Sequence, residues 1–192
     1  MPFQIVRNDI TKVKADAIVN TANPYPKIGN GTDSAIYNAA GKERLLSERQ
    51  KIGNIEVGMA VATPAFNLSA NYIIHTVGPM WTGGDNGEYD KLRDCYENSL
   101  SLAIKLGCKS IAFPLISSGI YRFPKDEALK IAIAVFDDFL LENDIVVYLL
   151  SHFLTLFPLR NSPDTMICSA TLVPSIDSTS LRTDSFPIMS AF

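Results

Sequence analysis

The tightest constraint on this chain is the run from Ala17 to Gly41, AIVNTANPYPKIGNGTDSAIYNAAG. Its first four residues read as the end of a short buried strand. Two asparagines, two prolines and two glycines then exclude regular structure until Thr32 or Asp33 opens a helix. That helix runs to Ala40 and stops at Gly41, a C′ residue. In an open α/β sheet, ligands bind where the carboxyl end of a strand meets the amino end of a helix, because unpaired N–H groups there face an arriving anion. The run therefore predicts a phosphate-accepting loop on an α/β fold.

Each residue of the loop also has a purely local reading. Asn20 and Asn23 form Asx-turns, the glycines supply positive φ, and Asp33 caps the helix. Any one residue fits that reading, but the whole set in one loop favours a site. Asn23 and Asp33 stand ten positions apart at opposite ends of a loop that must fold back, so an amide and a carboxylate can converge on one small ligand.

A second loop has the same placement. Ser110 to Leu115 is a short apolar strand that leads into Ile116-Ser117-Ser118-Gly119-Ile120-Tyr121, with a helix starting near Lys125. Small residues at 117–119 let backbone N–H groups approach phosphate oxygens, and the helix adds its dipole. An ordinary strand–helix connection is the competing reading.

The remaining segments alternate. Strands are expected at Phe3–Val6, 58–63, 72–77 and 145–150, with 58–63 and 72–77 buried on both faces. Helices are expected at 42–51, 88–106 and 125–143, the first a surface helix carrying no chemistry, the last with Ala128, Ile131, Ala132, Val135 and Phe139 inward. Lys14 and Asp16 read as solvated. His75, inside a strand, is expected to be a hydrogen-bonded structural residue rather than a catalyst, and Trp81 to cover the sheet rather than line a cleft. The alternation predicts a three-layer α/β/α sandwich with a mixed central sheet.

Charge narrows the partners. A net charge of −3 argues against a nucleic-acid surface, which needs a basic face to displace counterions. Cys95, Cys108 and Cys168 are odd in number and lack metal-ligand spacing, which suits reduced thiols, and no metal or cofactor is expected. The start MPFQIVRND lacks a signal pattern, and no apolar run approaches the ~18 residues of a membrane span. A soluble cytoplasmic protein is expected.

The run V-N-T-A-N followed by G-T-D-S-A-I-Y-N-A-A-G resembles the signature of the macrodomain family of ADP-ribose-binding modules. Asn8-Asp9-Ile10-Thr11 resembles that family's G-D-I-T, and Pro114 to Tyr121 its P-x-I-S-T-G-x-Y phosphate loop. The resemblance covers about residues 1 to 150. It implies that Asn23 holds ribose hydroxyls and Asp33 orients or activates a water. It further implies that Ser117, Ser118, Gly119, Ile120 and Tyr121 cradle the diphosphate, with Asn20 and Gly31 completing the substrate contacts. By pattern alone Asp9 is an Asx-turn acceptor for Thr11; the resemblance makes it the acceptor for adenine N6, with the Ile10 backbone at the pocket edge. Asp33, at a helix start, is expected to stay ionised and to act more by positioning than by basicity. Two departures stand out: Ile28-Gly29-Asn30-Gly31 where many relatives carry four glycines, and Asn8 in place of a glycine. The implied activity is ester hydrolysis at the distal ribose, on an ADP-ribosylated protein carboxylate or on O-acetyl-ADP-ribose. A non-catalytic ADP-ribose reader is the alternative.

Composition changes abruptly at residue 151. Residues 151–192 contain no glycine, lysine or glutamate, while serine and threonine supply 13 of the 42 positions. This stretch reads as an atypical tail, either a disordered extension or the product of a reading frame shifted near residue 150. Phe153 is its candidate for an aromatic that stacks near adenosine.

Overall fold

The computed structural model describes residues 3–150. Six strands form one sheet: β1 (Phe3–Val6), β2 (Ala17–Thr21), β3 (Ala60–Pro64), β4 (Tyr72–Thr76), β5 (Ser110–Pro114) and β6 (Val146–Leu150). Their order is β1-β6-β5-β2-β4-β3. All neighbouring pairs are parallel except β3, which runs antiparallel to β4 at one edge. Helices α1 (Thr32–Ala40) and α2 (Lys42–Ile52) cover one face, and α3 (Glu88–Lys105) and α4 (Lys125–Leu140) cover the other. This is the mixed three-layer sandwich that the alternation of segments predicts.

The period of two along each strand assigns the faces. Ala17 and Val19 of β2, Ile111 and Phe113 of β5, and Val147 and Leu149 of β6 join the core under α3 and α4. Their neighbours Ile18, Ala112 and Leu150 join the core under α1 and α2. Both faces are covered, which is why these strands read as continuous apolar runs. On α3 the buried positions Leu92, Tyr96, Leu100 and Ala103 keep helical spacing.

The order of strands creates the opening. After β2 the chain turns toward β4 and β3, whereas after β5 it turns toward β6 and β1, so β2 and β5 flank a topological switch point. The β2–β4 ladder pairs five residues, but the β2–β5 ladder pairs only two, Ala17 with Ile111 and Ile18 with Ala112. Beyond Ile18 the two strands part, and the gap lies at their carboxyl ends.

Four expectations need correction. The strand expected at 58–63 is not buried on both faces: β3 is an edge strand in which only Thr63 is buried. On α4 the expected inward set omits Phe136, which is buried with Ala128, Ala132 and Val135, while Ile131 and Phe139 pack against the same core only partly buried. Asp16 is not simply solvated, because its Oδ2 accepts from the Lys109 and Ser110 N–H groups at 2.8 and 3.0 Å and so ties the start of β5 to that of β2. Arg49, in the helix read as carrying no chemistry, is 1% exposed. The expectations for 151–192, including Phe153 and Cys168, fall outside the described residues.

Candidate functional site

A cleft of about 720 Å³ occupies the gap at the ends of β2 and β5. One wall is the loop after β2, from Thr21 to Asn23 and from Gly29 to Asp33; the other is Pro114, Leu115 and Ser117 to Tyr121. Gly78, Lys125 and Leu150 complete it. Of the expected site residues, Asn23, Gly31, Asp33, Ser117, Ser118, Gly119, Ile120 and Tyr121 line this one cleft. Asp9, Ile10 and Asn20 do not.

Those three have other surroundings. The Asp9 carboxylate accepts from the Thr11 N–H at 3.0 Å and its hydroxyl at 2.8 Å, capping a short 3-10 turn over Ile10–Lys12. Ile10 is buried in the core under α1. Asn20 is fully buried behind the cleft, where its Nδ2 donates to Asp33 Oδ1 at 2.7 Å.

Asp33 is held from two sides. Its Oδ2 accepts from the Gly29 N–H, which draws the glycine loop back over the helix start. Burial raises the Asp33 pKa above the ordinary value, and the bonds from Asn20 and Gly29 and the charge of Arg49 oppose that rise. The helix start does not by itself set this acidity: loss of hydration outweighs the stabilising donors, so the shift is upward from the ordinary value.

Behind Asp33 a polar chain crosses the sheet. Asn20 Nδ2 also meets His75 Nδ1 at 3.1 Å, and His75 Nε2 meets Thr63 Oγ1 at 3.0 Å. An amide nitrogen is only a donor, so Nδ1 must accept and the ring proton sits on Nε2, facing the Thr63 hydroxyl. Burial, and then the positive charge of Arg49, lowers the His75 pKa to about 3, so the ring is neutral. His75 is thus the hydrogen-bonded structural histidine that its place in a strand suggests.

Arg49 was hidden from pattern reading, although it lies four residues after buried Leu45 and shares its helix face. Its guanidinium donates to Gly53 O at 2.8 Å and to Asn23 O at 3.4 Å, tying α2 to the cleft wall. Burial and the nearby Asp33 charge push the Tyr37 hydroxyl up to about 12, so it remains protonated. Asn23 Oδ1 accepts from the Tyr25 N–H at 3.2 Å, an Asx-turn that fixes the amide at the cleft wall. The local reading of Asn23 is thus met, and the residue also lines the cleft.

The opposite wall is compact and strained. Ser117 adopts φ 61°, and the Phe123 N–H donates to its carbonyl at 3.0 Å. Ser118 Oγ donates to Leu115 O at 2.8 Å, and the Trp81 N–H donates to Tyr121 O at 2.9 Å. Gly78 is needed here, since a Cβ would collide with Ser117 Oγ and come within 2.8 Å of Ile116 Cγ2. Ser117 Oγ is buried and has no hydrogen-bond partner among the described residues. The N–H groups of Gly119, Ile120 and Tyr121 likewise donate to nothing among them. An added Cβ at Gly119 meets nothing within 4 Å, so this glycine leaves room for a ligand rather than for the protein. Trp81 packs against the core under α3 and α4, its ring 4.8 Å from that of Phe123, and does not line the cleft.

Among the described residues no cluster of three or more His, Cys, Asp or Glu side chains could hold a metal ion. No helix among them is long and apolar enough to cross a membrane. Cys95 and Cys108 are buried free thiols.

The Macro domain family model matches residues 19–132. An O-acetyl-ADP-ribose deacetylase of Citrobacter rodentium is 46% identical over 141 residues, which cover 72% of this chain and 80% of that protein. A macrodomain of Oceanobacillus iheyensis, solved with ADP, is 38% identical with a TM-score of 0.72, over 76% of this chain and 80% of its own. A Trypanosoma brucei macrodomain in complex with ADP-ribose is 35% identical with a TM-score of 0.71, over 78% of this chain and 63% of its own.

Proposed function

Because this chain belongs to the macro domain family, we propose that it binds ADP-ribose and hydrolyses an ester at the distal ribose. The substrate is an ADP-ribosylated protein carboxylate or a small ester such as O-acetyl-ADP-ribose. The observation that carries this reading is the pairing of Asn23 and buried Asp33 on one wall of a cleft whose other wall presents unpaired backbone N–H groups.

Placement in the cleft supports the following roles. The N–H groups of Gly119 to Tyr121 and the Ser117 hydroxyl hold the diphosphate by dipoles rather than by cations. Gly31 and the start of α1 face the same ligand, and Asn23 orients the distal ribose hydroxyls. Asp33 positions a water and takes its proton as the oxygen attacks the ester carbonyl. The bond from the acyl carbon to the ribose oxygen then breaks, and that oxygen takes up a proton. The products are ADP-ribose and a carboxylic acid. A raised pKa brings Asp33 nearer to the operating pH, where a general base is most effective. Asn20 serves Asp33 from behind rather than touching substrate. In this reading Asp9 and Ile10 contribute at the adenine end, beyond the cleft residues described above.

One observation favours the reader alternative: both Asp33 carboxylate oxygens already accept hydrogen bonds. Calorimetric titration with ADP-ribose, followed by incubation with an ester-linked ADP-ribosylated protein, separates the two. Binding with release of ADP-ribose is the expected result, binding without release selects the reader, and absence of binding removes both.

A further inference from the structure

Glu88 is the first residue of α3, yet it is only 2% exposed. A glutamate in a first helical turn ordinarily sits in water; one that is buried needs donors to replace that water. Here the preceding loop supplies them. Oε1 accepts from the Thr82 N–H at 3.0 Å, the Thr82 hydroxyl at 2.6 Å and the Gly84 N–H at 3.3 Å, while Oε2 accepts from the Asn86 N–H at 2.7 Å. Asn86 Nδ2 closes the knot on Thr82 Oγ1 at 2.8 Å. None of the ion pairs among the described residues includes Glu88. The loop is wound around this carboxylate, and the Thr82 hydrogen bonds, against burial, hold its pKa at about 2.

The knot continues into the cleft wall. Gly84, held by Glu88, lies under the indole: an added Cβ would stand 2.9 Å from Trp81 Cη2. The Trp81 ring packs 5.6 Å from Tyr89 and 4.8 Å from Phe123, and the Trp81 backbone N–H donates to Tyr121 O. Tyr121 and Phe123 are the residues at which the second loop leaves the cleft. An unbroken series of contacts therefore joins Glu88 to the backbone whose unpaired N–H groups face the ligand.

We propose that Glu88 is a positioning residue for diphosphate recognition: by fixing the 82–86 loop it makes Trp81 hold Tyr121, and so sets the placement of the Gly119 to Tyr121 N–H groups. The proposal rests on the reading of the cleft as an ADP-ribose site. It assigns a binding consequence to a residue that reaches that wall only through its neighbours, Trp81 by way of the 82–86 loop and Tyr89 by its edge contact with Phe123.

The test uses the full chain with Glu88→Gln and Glu88→Ala, titrated with ADP-ribose and with adenosine, which lacks the diphosphate. Trp81 is the only tryptophan in the chain, so its emission reports the state of the loop. Glutamine keeps an acceptor for Thr82 and Gly84 but turns an NH₂ toward the Asn86 N–H. Glu88→Gln should therefore weaken ADP-ribose binding several-fold, and Glu88→Ala roughly ten- to hundredfold, with red-shifted emission. Adenosine binding should stay at the wild-type level in both. Wild-type ADP-ribose affinity in folded variants overturns the proposal, as does an equal loss for adenosine, which marks a purely structural role. If Glu88→Ala does not fold, Glu88→Gln alone decides by the same comparison. Failure of the unaltered chain to bind ADP-ribose is a different result: it overturns the reading of the cleft itself.

Discussion

Asp33 is a carboxylate whose burial and hydrogen bonds pull its proton affinity in opposite directions, with burial the stronger. If it acts as the base, kcat should fall on the acid side through a pKa above the ordinary 3.8. Asn20→Ala, by removing the largest opposing contribution, should move that limb to still higher pH. A kcat–pH profile measured on both proteins checks this, and coincident limbs count against the assignment. Asp33→Ala should lower turnover far more than ADP-ribose affinity, because its proposed role lies in the reacting geometry. His75 carries a separate pH signature. Its pKa falls from the ordinary 6.5 to about 3 on folding, so below about pH 6.5 the unfolded chain binds a proton that the native chain does not. Stability from this residue is complete above 6.5 and declines as pH drops toward 3. Urea midpoints at neutral and mildly acid pH should differ less in His75→Gln than in the unaltered protein.

The loop between β5 and α4 offers the sharpest test at the level of elements. Gly119 has open space where a Cβ would go and no positive φ, so Gly119→Glu should fold normally. It should nonetheless abolish ADP-ribose binding through bulk and negative charge. Retained affinity would refute the phosphate-loop role. On α2, Arg49→Leu should destabilise the protein by about 2–4 kcal/mol, read from a denaturant titration, since it leaves the Gly53 and Asn23 carbonyls without their donor. That helix also shows what sequence can and cannot convey. The limits of α1 at Thr32 and Gly41 were legible because the glycines that flank it act locally, although Asp33, read as its cap, lies within the first turn instead; the faces of α3 were legible because its period is regular. Arg49 was not, since a charged residue on a short helix reads as solvated unless its neighbours in space are known. The edge position of β3 was equally hidden, because strand order is set by long-range pairing rather than by the apolar content of the strand. Asn23 and Asp33 could be matched as a pair, whereas the retreat of Asn20 behind Asp33 follows from the alternation of side chains along β2, which buries Asn20 beside Ile18 under α1.

For the molecule as a whole, the cleft is the place where ligand and fold support each other. A ligand that binds only the native state adds RT ln(1 + [L]/Kd), about 2.7 kcal/mol at a hundredfold excess over Kd, so the thermal midpoint should climb steadily with ADP-ribose concentration. A midpoint indifferent to the nucleotide would argue against binding at this site. The change of composition beyond Leu150 calls for a genetic test: on the frame-shift reading, another frame just past codon 150 should encode a strand–helix ending that contains lysine and glutamate. If neither alternative frame is open there and the tail of the purified protein is protected from protease, that reading fails. The early parting of β2 and β5 has one more consequence. A recess made by ending a ladder after two rungs owes nothing to side chains missing from the hydrophobic interior. Part of its lining is exposed turn, Asn30 and Ile120 among it, and can change without opening a void in the cores beneath α1 or α3, whereas Asp33, Gly78 and Leu150 are tied to the packing around them. Variation in those turns can thus reshape the recess while leaving the scaffold alone, and exposed Asn30 sits where such change meets least resistance.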